Sequence, residues 1–76
     1  MTFSEFKESI ENWARQEFGP MRASVVVSSG RPGQAVIDVT ITGKVIASLE
    51  PFSIALDKPD AIESAKDRVR KKIDAV

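Results

Sequence analysis

Apolar residues recur every three or four positions at both ends of this chain and every second position through its middle, which restricts it to helices flanking a sheet. At the N-terminal end, Phe3, Phe6, Ile10, Trp13 and Ala14 form one stripe, with Lys7, Glu8, Glu11 and Arg15 on other faces. This predicts a helix from about Thr2 to Phe18. Thr2 and Glu5 have capping-box spacing, Ser4 competes as N-cap, and Gly19-Pro20 stops the helix because proline cannot continue it. At the other end, Ile62, Ala65, Val69, Ile73 and Val76, with Ala61 beside them, predict a helix from about Pro59 onward. Asp57, Asp60 and Glu63 sit at its start, and Arg68, Arg70, Lys71 and Lys72 toward its end, an order that complements the helix dipole. Asp67 and Lys71 form an i,i+4 pair.

Between the helices, Ala23, Val25 and Val27 alternate with Ser24, Val26 and Ser28 in a strand from Arg22 to Ser29. Ser29-Gly30-Arg31-Pro32-Gly33 is a turn cluster. A second strand runs from about Gln34 to Thr42, with Ile37, Val39 and Ile41 on one face and Val36, Asp38, Thr40 and Thr42 on the other. Gly43-Lys44 suits a tight hairpin. From Val45 to Leu56 the alternation changes phase: Val45, Ala47 and Leu49 share one parity, and Phe52, Ile54 and Leu56 the opposite one. A one-residue shift reverses every side chain, so a bulge or a break must fall near Glu50-Pro51. One interrupted edge strand is favoured over two short strands. The expected architecture is a single α+β domain over residues 1–76, ordered α-β-β-β-α. In it a three-stranded antiparallel sheet carries both helices on one face and leaves the other open.

Composition limits the chemistry. The 76 residues contain no cysteine, histidine or tyrosine, which removes disulfides, Cys/His zinc sites, thiol nucleophiles and the usual proton-transfer side chain. The carboxylates Glu8, Glu11, Asp60 and Glu63 fall on exposed helix faces, where nothing is expected to shift their pKa values. The chain therefore reads as no enzyme, with no cofactor and no metal. Eleven basic and eleven acidic residues cancel, leaving no net field toward nucleic acid or anionic lipid. The acid-rich first twenty residues fit neither a secretory signal nor a transit peptide, and no apolar run suggests a membrane span. Cytoplasmic location, without membrane association, is the expectation.

The run Gly30-Arg31-Pro32, followed by Val36-Ile37-Asp38-Val39-Thr40-Ile41-Thr42-Gly43, resembles the turn and second strand of the double-stranded RNA-binding domain. Ala61 and Ala65 fall where that family keeps small residues in its last helix. The likeness covers about residues 22 to 66 as a pattern of elements. It implies the α-β-β-β-α fold and, through the family's K-K-x-A-K cluster, phosphate contacts at the start of the last helix. Here the corresponding run is Lys58-Pro59-Asp60-Ala61-Ile62, with one lysine, and the turn lacks the family's histidine.

Two sets of residues stand out as candidate sites. On the sheet face opposite the core, Val26, Val36, Thr40 and Ile46 lie among serines and threonines with few charges, as at the centre of a protein interface. Arg31 at a loop tip, Lys58, and Arg70, Lys71 and Lys72 near the C-terminus are candidate nucleic-acid contacts. From Asp57 to Val76, six basic residues face five acidic ones, so little net charge supports the second set. The leading expectation is a non-catalytic protein-interaction module, a small adaptor, regulator or inhibitor, able to form a homodimer. The alternative is a degenerate double-stranded-RNA-binding type of nucleic-acid-binding domain.

Overall fold

The computed structural model describes residues 1–43 and 46–76. The tight hairpin expected at Gly43-Lys44, and the parity expected of Val45, fall on Lys44 and Val45, outside the described residues. The order is α1 (Phe3–Glu17), β1 (Ala23–Ser29), β2 (Gln34–Thr42), β3 (Ile46–Ser48), β4 (Phe52–Ala55) and α2 (Ala61–Asp74).

Thr2, not Ser4, caps α1: its Oγ1 accepts from the Glu5 N–H at 3.2 Å and its hydroxyl donates to Glu5 Oε1 at 3.0 Å. Phe6, Ile10 and Ala14 are buried, with Phe3 and Trp13 half-buried beside them. The helix stops where Gly19 adopts φ +76°, a backbone that glycine tolerates, just before Pro20. Helix α2 begins at Ala61, two residues later than expected, and the Asp60 side chain makes no capping bond. Its buried stripe steps by four through Ala61, Ala65, Val69 and Ile73. Ile62 lies at the margin of that stripe, and Val76 is exposed beyond the helix end.

Among the described residues the sheet has four strands, not three, so the element order is α-β-β-β-β-α. Central β2 pairs antiparallel with β1 along one edge, and with both β3 and β4 along the other. The phase change at Glu50-Pro51 explains the extra strand. From Thr40↔Ser48 to Ile37↔Phe52, β2 moves back three residues while its partner segment advances four. One residue is thus inserted, and the segment splits into two short strands rather than one interrupted strand. Leu49 N–H still reaches the Val39 carbonyl at 2.9 Å, but Pro51 has no N–H to offer the ladder. The slip lets both Ala47 and Phe52 share the parity of the core while pairing with the same strand.

Among the described residues, all the buried ones are apolar and form one cluster. It joins Phe6, Ile10 and Ala14 of α1 to Ala65, Val69 and Ile73 of α2. Val27, Ile37, Val39, Phe52 and Ile54 supply its sheet side. Arg70 pairs with Glu17 at 3.7 Å and Arg22 with Asp74 at 3.7 Å, linking the C-terminal part of α2 to the end of α1 and the start of β1.

Candidate functional site

The strand residues of opposite parity to the core define the second sheet face. Register places Val26 opposite Asp38, Ser28 opposite Val36 and Ser24 opposite Thr40 on β1 and β2. Across the other edge, Ser48 lies opposite Thr40, Ile46 opposite Thr42 and Ser53 opposite Val36. Val26 and Val36 are therefore diagonal neighbours, within reach of one another. Ile46 is separate: its partner Thr42 is six residues along β2 from Val36, about 20 Å at the rise of an extended strand. Thr40 sits between them. Ile46 is 79% exposed and Val26 47%, while Val36 and Thr40 are half-buried. Asp38 is the one charged side chain that the described strands place on this face.

The edges of the sheet are treated differently from its face. Val27 N–H donates to Glu11 Oε2 at 2.9 Å, and the Val27 carbonyl accepts from Lys7 Nζ at 3.1 Å. Lys7 and Glu11 are themselves joined at 2.6 Å, so an i,i+4 ion pair on α1 closes the backbone of the β1 edge strand. At the opposite edge, Arg68 Nη1 donates to the Ser53 carbonyl at 3.4 Å while its guanidinium lies 4.3 Å from the centre of the Phe52 ring. The Lys7–Glu11 pairing is visible in the sequence as spacing alone. Its seat on Val27 depends on how α1 crosses β1, which no local pattern records.

Glu11 thus departs from the expectation of an unperturbed carboxylate on an exposed face. Burial alone would push its pKa up. The hydrogen bonds from Lys7 and Val27 N–H, with the charges of Lys7 and Arg15, outweigh that and hold it below the ordinary value. The carboxylate is ionised and occupied, with a structural partner on each side. Among the described residues, no group of three or more His, Cys, Asp or Glu side chains is arranged to hold a metal ion.

The five cations singled out from the sequence do not converge. Arg31 is exposed in the β1–β2 turn, its carbonyl accepting from Gln34 N–H at 2.9 Å. Lys58 is near that end of the molecule, because Leu56 N–H bonds the Gly33 carbonyl at 2.8 Å. Arg70, Lys71 and Lys72 lie toward the other end of α2, a helix about 20 Å long. Each has a local contact: Arg70 with Glu17 and, at 5.1 Å, the Trp13 ring; Lys71 with Asp67 at 3.0 Å; Lys72 with the Phe52 ring at 5.6 Å. Trp13 and Phe18 are half-buried and meet edge to face at 5.5 Å.

No protein-family model, curated protein or solved structure matches this chain. Among the described residues, no helix is long and apolar enough to cross a membrane.

Proposed function

We propose that this chain is a non-catalytic protein-interaction module, an adaptor, regulator or inhibitor that works through the sheet face carrying Val26, Val36, Thr40 and Ile46. The observation that carries the reading is the pair of exposed aliphatics on that face, Ile46 at 79% and Val26 at 47%, among serines and threonines with Asp38, opposite Val26, as the one charge of the described strands. Apolar side chains in a charge-poor surround release water on contact at little desolvation cost. The reading includes both helices on the same side of the sheet, which the single cluster shared by α1, α2 and one strand parity supports. It also includes a double-stranded-RNA-binding-domain-like outline, in which β3 and β4 together take the place of the third strand, since both pair with one edge of β2. A cytoplasmic setting belongs to the same reading, in keeping with a chain free of cysteine. A second copy is one candidate partner through a two-fold contact.

The test uses Ile46→Glu and Val26→Lys, the latter chosen because lysine opposite Asp38 avoids a like-charge pair across the strands. Both variants should retain the circular dichroism spectrum of the parent. Each should lower self-association in sedimentation runs, or capture of the protein partner found with the parent chain, by tenfold or more. Unchanged assembly and capture in both variants would refute the sheet-face reading. A nuclease control and a gel shift at two salt concentrations separate it from the nucleic-acid alternative, for which binding would collapse as salt rises.

A further inference from the structure

In β1 the backbone groups alternate between facing β2 and facing outward. Gly30 N–H bonds the Gln34 carbonyl and Thr42 N–H the Arg22 carbonyl, which fixes the even-numbered residues of this hairpin as those directed across the ladder. The odd-numbered residues Ala23, Val25, Val27 and Ser29 therefore direct their N–H and carbonyl groups to the outer edge. Val27 is closed by Glu11 and Lys7, and Ala23 N–H is closed by the Gly19 carbonyl at 3.3 Å. No hydrogen bond among the described residues reaches the outward N–H or carbonyl of Val25 or of Ser29, or the carbonyl of Ala23; of these, Val25 and Ala23 lie beside α1.

The reason lies in the α1 stripe that flanks this edge. Lys7, Glu11 and Arg15 follow one another at intervals of four residues, about 6 Å along a helix, close to the rise of about 6.7 Å for two strand residues. Since Lys7 and Glu11 serve Val27, Arg15 falls at the level of Val25. Arginine carries donors only and cannot accept from Val25 N–H; here it is bonded to Asn12 instead. A groove of about 380 Å³ opens at this place, lined by Ala14, Arg15, Pro20, Ala23 and Val25. Ala14 is too small to fill it.

We propose that this groove takes an extended peptide segment of another protein, added as a strand to the outer edge of β1 and carrying an acidic side chain over Arg15. The peptide supplies what the helix stripe lacks: a carbonyl for Val25 N–H, and N–H groups for the Val25 and Ala23 carbonyls. Main-chain bonds to a sheet edge give affinity, and alternate side chains give specificity. With Glu11 neutralised by Lys7, Arg15 leaves one positive charge at the groove, which selects the acidic side chain. A second copy of β1 is a poor occupant. Centred on Val25, its ladder would next require Val27 opposite Ala23, and both Val27 groups and the Ala23 N–H are already taken. The inference rests on the chain being a protein-interaction module, but it uses a different surface from the sheet face.

The probe is the capped pentapeptide acetyl-VEVEV-amide, titrated against the full chain by isothermal titration calorimetry and by amide exchange in NMR. Saturation should slow exchange of the Val25 amide at least tenfold and leave Val27 unchanged. Replacing both glutamates of the peptide by lysine, or N-methylating the peptide amides that face β1, should each weaken binding at least tenfold. Arg15→Glu should reverse the preference between the acidic and basic peptides. Ile46→Glu should bind as the parent does, so that loss of the sheet-face reading and loss of this one are told apart. Absence of binding at millimolar peptide, equal binding of the N-methylated peptide, or protection at Ile46 or Ser53 in place of Val25 would each overturn the proposal.

Discussion

The two edges of this sheet solve one problem by different means. An unpaired strand edge invites another chain to pair with it, and proteins blunt such edges with charge, interruption or cover. Seven-residue β1 runs uninterrupted, and an ion pair on α1 reaches across to occupy Val27. The other edge is broken into strands of three and four residues by the inserted residue and Pro51, and among the described residues one long bond from Arg68 touches it. A continuous edge needs side chains to occupy its backbone, whereas a short broken edge offers little to pair with in the first place. Among the outward groups of β1, those of Val25 and Ser29 are left without such cover, and Val25 is the one that lies against α1 at Arg15.

Removing the interruption should change the molecule most. Deletion of Pro51 brings β3 and β4 into one register, because the slip between them is a single residue. The fused strand keeps Ala47, Leu49, Phe52 and Ile54 on one face and presents a long flat edge. Light scattering should then show mass rising with concentration, well beyond the parent at the same concentration. An unchanged mass would mean that interruption is not what protects this edge.

Next in size is the ion pair. Glu11→Ala leaves Val27 N–H without an acceptor in a part-buried setting and Lys7 without its partner, at a cost of about 1–3 kcal/mol in urea unfolding. Glu11→Gln keeps an acceptor and should cost less. The pH dependence follows from the lowered pKa. A carboxyl whose folded value lies below its unfolded value adds stability that is present above the ordinary carboxylate range and is lost as pH falls through the folded value. The stability gap between parent and Glu11→Gln should therefore be full at neutral pH and close in acid. A gap that stays constant into acid would contradict the pairing.

The smallest effect belongs to the other edge. Arg68→Ala should cost about 1 kcal/mol or less, since its bond to Ser53 is long and exposed and its stacking on Phe52 is of the surface kind. A loss as large as that of Glu11→Ala would make the two edges equivalent and remove the contrast between them.

Much of this frame is legible in the sequence because it is written in local periods. Strand β2 has the expected bounds from Gln34 to Thr42, α1 differs by one residue at each end, and the phase change at Glu50-Pro51 corresponds to a real one-residue slip. Period reports which face a residue occupies, not which residue it meets. Val26, Val36 and Ile46 thus share a parity, yet the register puts Ile46 beside Thr42 and away from the two valines. The Lys7–Glu11 pair has the spacing of an ordinary solvated pair, and only the crossing of α1 over β1 brings it to Val27. The same crossing carries Arg15 to the level of Val25. Arg70, Lys71 and Lys72 read as a basic cluster along the chain, but neighbours from other turns and elements engage them one by one.

Side chains of α1 decide which part of the β1 backbone is open, and amide exchange by NMR on the parent chain reads this residue by residue. Val25 and Val27 are suited to the comparison, since both side chains are buried and both amides face the same outer edge. The Val27 amide should exchange at least tenfold more slowly than that of Val25, as a bond worth about 1.4 kcal/mol requires, and Glu11→Ala should erase the difference. Equal rates in the parent, or a slower Val25, would contradict the account.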